Sequence, residues 1–209
     1  MEMQVYRAVI DPSLDSDLEV NFMGLVDKPA IERNFLAFKE QKEKLKFFIN
    51  DEKRIISGPA MLSDMPIYRN DEKLGEYYIV FDKQSIQTIV EKFSAKGFLK
   101  NFNLFHDQQQ QVEDVIIFNS FIKDESLGVS ALKGFEDVAD GSWFISAKVN
   151  NDAVWQKVKD GLIKGFSVEG IFEFIPMATV KASAQEKENE ILLEELAVVF
   201  NQLLDRCKS

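Results

Sequence analysis

The segment Lys164–Ile175, with the sequence KGFSVEGIFEFI, constrains the fold of this chain more than any other part of it. Its apolar residues recur at every second position, and a β-strand places alternate side chains on opposite faces. One predicted face holds apolar residues and a glycine: Phe166, Val168, Gly170, Phe172 and Phe174. The other face carries Ser167, Glu169 and Glu173, so the sequence predicts a serine and carboxylates held rigidly on the far side of a buried strand.

The same alternation, bounded by turn residues, predicts many further strands along the chain. They cover residues 3–10, 18–26, 54–62, 76–81, 101–106, 112–122 and 142–149. The four glutamines at 108–111 are predicted to form a solvent-exposed turn between two of them. Gly58-Pro59 inside one strand indicates a bulge or an edge position, because proline has no N–H to donate to a ladder.

Helical spacing of apolar residues appears in two places. One helix is predicted from Asp82 or Ser85 to about Lys96, and a second from Asn150 or Asn151 to Asp160, each followed by a glycine stop. The fold class is therefore α+β. We expect a β-barrel-like or strongly curved, mostly antiparallel sheet with two or three flanking helices and a C-terminal amphipathic helix.

The character of the chain changes after Pro176. Residues 1–176 are predicted to form one α+β domain, and the small, polar residues 177–188 a linker. Residues 189–209 are predicted to form an amphipathic helix. Its apolar residues follow the 3-4-3-4 spacing of a short coiled coil: Leu193, Leu196, Phe200, Leu203 and Cys207. Such a helix could dock on a scaffold, join two copies of the chain, or pack on its own domain.

Composition excludes several classes of function. A net charge of −10 disfavours nucleic-acid binding, which needs clustered Lys and Arg. One cysteine and one histidine provide no zinc-like ligand set, and no phosphate-cradling glycine loop occurs, so we expect neither a metal nor a cofactor. No apolar run approaches the roughly 20 residues that span a bilayer, so we expect a cytoplasmic protein without a membrane.

Two residues could provide nucleophilic chemistry. A serine attacks a carbonyl only when a base takes its proton, and neutral imidazole is such a base near pH 7. His106 is the only histidine of the chain and ends a predicted strand at a loop. Ser167 lies on the predicted polar face, although a buried strand serine or a lone histidine is more often structural.

The surroundings of Ser167 differ from a nucleophile elbow. That motif, G-x-S-x-G, needs a glycine two residues on either side of the serine. Gly165 meets this requirement, but Glu169 occupies the second place and Gly170 follows one residue later. Gly165 and Gly170 would instead let backbone N–H groups approach a substrate oxyanion.

The group that would orient the histidine is open between several acids. Glu169 is preferred, because it shares a strand face with Ser167 at a distance of about 6–7 Å along the strand. Glu173 lies farther along the same predicted face, and Asp124 and Glu125 could reach the site from a loop. Asp107 is a weaker candidate because adjacent strand residues point in opposite directions.

Five segments of the chain carry a family resemblance. They are GLVDKPAIERNFLAFK (24–39), RIISGPAMLSDMPIYR (54–69), GEYYIVFDKQSI (75–86), NLFHD (103–107) and VWQKVKDGLIKGFSVEGIF (154–172). Together they resemble the phage serine proteases encoded beside capsid genes, which are prohead maturation proteases related in fold to herpesvirus assemblin. The resemblance covers roughly residues 20–175.

This resemblance implies an endopeptidase that acts inside the phage procapsid, in the host cytoplasm. Its expected partners are the major capsid and scaffold proteins, which it would cleave along with its own chain. His106 and Ser167 stand where the family's histidine and serine stand. Assemblin-type enzymes use a second histidine, which this chain lacks. The alternative is a non-catalytic scaffolding or structural protein of the capsid on the same fold.

Overall fold

The structure is a computed structural model that describes residues 2–27, 29 and 47–181. Within these residues there are twelve β-strands and two α-helices. The strands are β1 (Glu2–Val9), β2 (Val20–Val26), β3 (Phe48–Asn50), β4 (Ile55–Met61), β5 (Ile67–Asp71), β6 (Gly75–Val80), β7 (Phe102–Leu104), β8 (Asp107–Val112), β9 (Val115–Ile122), β10 (Trp143–Val149), β11 (Gly165–Gly170) and β12 (Glu173–Lys181). The helices are α1 (Lys83–Ala95) and α2 (Asp152–Lys159).

The described strands form three sheets of four strands each. The first has the order β12-β1-β6-β5, the second β3-β4-β10-β9, and the third β11-β2-β7-β8. All neighbouring strands are antiparallel except for the pairs β1–β6 and β2–β7, which are parallel. The predicted α+β class, mostly strands with flanking helices, is confirmed.

The predicted barrel is wrong. In the part of the chain that the structure describes, the sheets do not close and are not strongly curled, and each ends in two edge strands. The alternation that predicts a strand is the same in a barrel and in separate sheets, so it carries no information about closure. Local breaks also limit the ladders: β3 pairs with β4 only at Ile55–Ser57, before Pro59. The ladder to β10 then shifts register between Pro59 and Met61, so of the bulge or edge position predicted for Gly58-Pro59 the structure has the irregularity.

Both predicted helices are present with their predicted caps. The Asp82 carboxylate accepts a hydrogen bond from the Ser85 backbone N–H at 2.7 Å, and the Asn151 side chain accepts one from Val154 N–H at 3.0 Å. The helices bury the faces that their spacing predicts, which include Ile86, Ile89 and Phe93 in α1 and Val154, Trp155 and Val158 in α2. The Phe93 ring meets Trp143 of β10 edge-on, with 5.4 Å between the ring centroids.

The segment Lys164–Ile175 does not form one continuous strand, which corrects the prediction. β11 ends at Gly170, and the chain resumes as β12, which pairs with β1 in a different sheet. At the break the backbone of Gly170 lies close to β2, since a Cβ on Gly170 would lie 2.1 Å from the Glu19 carbonyl oxygen. That oxygen accepts a hydrogen bond from Ile171 N–H at 2.9 Å.

The C-terminal part of the chain is described only in part. β12 extends through Lys181, so the first residues of the predicted linker 177–188 belong to a strand. The rest of this linker and the predicted helix 189–209 lie outside the described residues, and the division into domains stays a prediction. Within the described ranges, no helix is both long and apolar enough to cross a membrane.

Candidate active site

Three neighbouring strands of the third sheet place polar residues in one row. Ser167 of β11 pairs with Gly24 of β2, and Gly24 pairs in turn with Asn103 of β7. Residues that face each other across a ladder have their Cβ atoms on the same side of the sheet, about 4.5–5.5 Å apart. Glu169 lies two residues beyond Ser167 and therefore projects from the same face.

His106 reaches this face from a tight turn. Leu104 pairs with Asp107, so Phe105 and His106 are the two residues that join β7 to β8. Both have positive φ, 55° for Phe105 and 61° for His106, as a type I′ hairpin turn requires. Residues other than glycine rarely adopt this conformation, and such strain is concentrated at functional sites.

This turn corrects two predictions. The strand ends at Leu104 and not at His106, and glutamines 108–111 belong to β8 instead of forming a turn. The sequence Phe-His lacks the Asn-Gly or Asp-Gly signature of such turns, so the local sequence does not indicate a hairpin here. Asp107 stabilises the hairpin: its carboxylate accepts hydrogen bonds from the Gln110 side chain and from Gln109 N–H, which lower its pKa.

The imidazole of His106 occupies the space that a side chain at position 24 would fill. A Cβ on Gly24 would lie 3.0 Å from His106 Cε1 and 3.1 Å from Nδ1. It would also lie 3.2 Å from the backbone oxygen of Ser167. The missing side chain of Gly24 thus lets the ring approach β2 closely, beside the strand that carries Ser167.

Glu169 is the acid that lies next to the histidine. Its Oε2 is 3.4 Å from His106 Nδ1, and the same oxygen accepts a hydrogen bond from Asn103 Nδ2 at 2.5 Å. A carboxylate on that side favours the tautomer with the proton on Nδ1, which leaves a lone pair on Nε2. An imidazole with a carboxylate on this side could serve as a general base oriented by an acid.

Ser167 is buried, with 5% of its surface exposed. Among the described residues, no hydrogen bond joins its Oγ to His106, although both lie on the same side of the sheet. In unliganded enzymes the contact between nucleophile and base is often long and tightens when substrate binds.

Sequence reasoning did not single out Asn103. This residue is completely buried, and its Oδ1 has no hydrogen-bond partner in the described part of the chain. It lies between the buried residues Phe102 and Leu104. A polar residue inside such a short apolar strand is the signal that could have identified it.

The other predicted acids lie elsewhere. Glu173 begins β12 in the first sheet, so it no longer shares a face with Ser167. Asp124 pairs with Lys83 at 3.3 Å, and Glu125 pairs with Lys123 at 3.3 Å. No group of three or more potential metal ligands occurs within the described residues.

Gly165 and Gly170 both have a packing reason to be glycine. A Cβ on Gly165 would lie 2.8 Å from the Pro29 ring, and Gly170 abuts the backbone of Glu19. These contacts explain why both positions are glycine. They do not test the predicted oxyanion site, which depends on backbone N–H groups near these glycines, so that role stays a prediction.

Comparison with known proteins places these residues in a family. A family model described as "Putative phage serine protease XkdF" matches residues 49–176, more than half of the chain, including His106 and Ser167. A protein of Bacillus subtilis (strain 168) named "Uncharacterized protein YqbD" is 27% identical over 183 residues, which cover 82% of this chain and 50% of that protein. The chain thus spans about half the length of this curated relative, and no solved structure matches it significantly. The chain belongs to the family described as "Putative phage serine protease XkdF".

Proposed function

We propose that this protein is a serine endopeptidase of phage prohead maturation. It cleaves segments of the capsid and scaffold proteins inside the procapsid, in the host cytoplasm. Family membership supports the reaction class, since the family is described as a phage serine protease. The maturation role extends the resemblance of the sequence to prohead proteases.

One observation carries the proposal. The only histidine of the chain lies on Gly24, next to the strand of Ser167, with Nδ1 at 3.4 Å from the Glu169 carboxylate. His106 holds this position from a hairpin turn with positive φ at two successive residues, a backbone conformation that is uncommon outside glycine and enriched at functional sites. An imidazole, a carboxylate and a hydroxyl on one side of one sheet support the proposed roles of base, orienting acid and nucleophile.

The chemistry follows the order of these groups. Ser167 Oγ attacks the carbonyl carbon of the scissile peptide bond while His106 Nε2 takes the hydroxyl proton. Glu169 stabilises the imidazolium that forms, and Asn103 holds the Glu169 carboxylate in place. His106 then gives the proton to the leaving amine, and a water molecule hydrolyses the acyl-enzyme by the same relay. Backbone N–H groups near Gly165 and Gly170 are proposed to stabilise the oxyanion.

Co-expression with the capsid and scaffold proteins of the same phage tests the proposal. Ser167→Ala and His106→Ala are each expected to reduce the cleavage rate by several orders of magnitude. Nucleophile and base act as one unit, so removing either one removes the contribution of both. Ser146→Ala is a matched control, because Ser146 is 6% exposed but lies in β10 and bonds to Ser57. Unchanged cleavage by Ser167→Ala would refute the assignment.

A non-catalytic scaffolding role is the second candidate. The burial of Ser167 and the missing hydrogen bond to His106 within the described residues favour it. In that case Ser167→Ala would leave the masses of all capsid proteins and the yield of mature particles unchanged. If the capsid proteins keep their full-length masses in particles made with the wild-type protein, the scaffolding role is supported and the protease assignment is wrong.

A further inference from the structure

A cavity of about 260 Å³ lies where the three sheets meet, and Ser167 belongs to its wall. The remaining wall comes from the end of β4, from β5 and β6, and from the chain around the break between β11 and β12. Its side chains are mainly apolar and include Met61, Leu62, Met65 and Phe81. An apolar cavity of about 150 Å³ is already large enough for benzene, so this one has room for a bulky side chain.

The cavity runs along the edge of β11. Five successive residues, 166–170, line it. Because neighbouring residues of a strand point to opposite faces, a cavity that touches all five must follow the edge of the strand. β2 occupies the other edge, and among the described strands β11 is hydrogen-bonded to no second one, although β4 packs beside it. At the residue before β11, the Lys164 carbonyl accepts a hydrogen bond from Phe47 N–H at 3.2 Å, so the backbone there already pairs with a segment other than β2.

We propose that this cavity is the specificity subsite for an extended peptide substrate with a bulky apolar residue next to the scissile bond. The peptide lies along the unpaired edge of β11, in the space between β11 and the end of β4, and its apolar side chain enters the cavity. Main-chain hydrogen bonds then give affinity, while the cavity selects the side chain. This inference rests on the proposed function, since Ser167 in the wall is taken as the nucleophile.

The substrate preference can be read from cleavage products. The full chain is incubated with a mixture of unfolded peptides of known sequence, and the cut sites are identified by mass spectrometry. We expect one position beside the cut to be enriched in Leu, Met or Phe. In a synthetic peptide, replacement of that residue by alanine is expected to lower kcat/KM by about 10- to 100-fold.

A cavity-filling variant ties the preference to this site. Met65 is half-buried in the cavity wall, so Met65→Trp is expected to reduce kcat/KM for the bulky peptide at least about tenfold while sparing the alanine peptide. Met177→Trp is the control, because Met177 is 59% exposed and lies outside the wall. Cleavage without an apolar preference, or a preference that Met65→Trp leaves unchanged, would overturn the subsite while leaving the protease assignment intact.

A binding measurement separates the two failures. Fluorescence anisotropy of the labelled bulky peptide is recorded with the Ser167→Ala variant, which retains the cavity. Binding that Met65→Trp weakens supports the cavity as a peptide site even if no cleavage depends on Ser167. If the bulky and alanine peptides bind equally, or neither binds, the proposal is wrong.

Discussion

At the scale of single residues, Gly24 leaves the space in which the His106 ring lies. The strands on either side of it carry Ser167 and Asn103, so any side chain at position 24 would project into the same row. The ring is fixed by this contact, by the strained turn and by the Glu169 carboxylate together. A small change at position 24 therefore tests the geometry without removing any reacting group.

Gly24→Ala is expected to displace the imidazole, because the new Cβ would lie 3.0 Å from Cε1. A shift of about 1 Å in a reacting group can lower the rate about 100-fold. Peptide cleavage rates measure the effect, and thermal unfolding shows that the protein is folded. Gly75→Ala is the control, since Gly75 has φ of 67° and nothing within 4 Å, and it should cost stability but not activity. Equal rates for wild type and Gly24→Ala would contradict this geometry.

In the proposed mechanism Asn103 acts through Glu169 and is thus a positioning residue. Asn103→Ala frees the carboxylate oxygen that Nδ2 holds at 2.5 Å. We expect kcat to fall about tenfold or more with little change in KM, because the reacting groups and not the substrate contacts are disturbed. Gln111→Ala, at the exposed residue paired with Asn103 on β8, should leave both constants unchanged. A change in KM alone would argue for a substrate-binding role instead.

The sequence predicts the shared face of Ser167 and Glu169, because the two-residue period of a strand places them together. It does not predict how His106 comes to lie beside Ser167, since a turn with two positive φ values depends on the pairing of the strands that it joins, β7 and β8. Asn103 was missed because only tertiary pairing brings β7 within reach of β11. The catalytic roles of these residues are predictions that the experiments above address.

At the scale of elements, the carboxylate of Asp82 connects helix α1 to strand β1. Burial tends to raise its pKa, but hydrogen bonds from Ser85 and from Arg7 outweigh this effect and lower the pKa below the usual value. A lowered pKa in the folded state stabilises the fold above the unfolded value of about 3.9. This contribution is lost as the pH falls through the folded pKa.

Asp82→Asn is therefore expected to flatten the loss of stability below about pH 4, because asparagine keeps the cap but does not titrate. Urea unfolding, measured in steps of about 0.5 pH units between pH 3 and pH 7, gives the slope of the unfolding free energy against pH. Asn151→Ala removes the corresponding cap of α2 and should cost about 1 kcal/mol at every pH, with the wild-type slope. Identical slopes for Asp82→Asn and wild type would exclude the role of this carboxylate.

Helices were predicted better than strand ends. Caps and apolar spacing are local, so Asp82 and Asn151 mark the true starts of α1 and α2. The break between β11 and β12 is not local, because it lies where Gly170 contacts Glu19, far away in the sequence. The same break moves Glu173 away from the candidate site.

At the scale of the whole molecule, Lys92 of α1 anchors the loop that leads into β2. Its side chain is 2% exposed, and the ammonium group donates to the carbonyl oxygens of Asp11, Ser16 and Leu18 at 3.0, 2.8 and 3.2 Å. It also lies 3.7 Å from the Glu19 carboxylate. The loop thus ends at Glu19, whose backbone contacts Gly170 at the end of β11. Through this loop, helix α1 is connected to the strand that carries Ser167.

Lys92→Met is expected to lower the free energy of unfolding by about 3 kcal/mol, because three carbonyl oxygens lose their shared donor, although Glu19 keeps its closer partner Lys96. Urea denaturation measures the change. Lys83→Met provides the comparison in the same helix: its ion pair with Asp124 involves a lysine that is 54% exposed, so about 0–1 kcal/mol is expected. Equal effects of both substitutions would show that the buried anchor contributes little.

Sheet assembly is the level at which sequence reasoning was weakest. The α+β class follows from counts of strands and helices, whereas the three separate sheets depend on which strands pair over long distances. Period-two patterns specify buried faces but not partners. The cavity beside Ser167 exists because three sheets meet there, so it could not be foreseen from any single segment.

The central claim is that His106 activates Ser167 for nucleophilic attack. Labelling with a fluorophosphonate, which bonds covalently to activated serines, tests it most directly, with peptide mass spectrometry to locate the adduct. We expect an adduct on Ser167 in the wild-type protein and its loss in His106→Ala, while Gln111→Ala is labelled normally. An unlabelled Ser167, or labelling that persists without His106, would contradict the account.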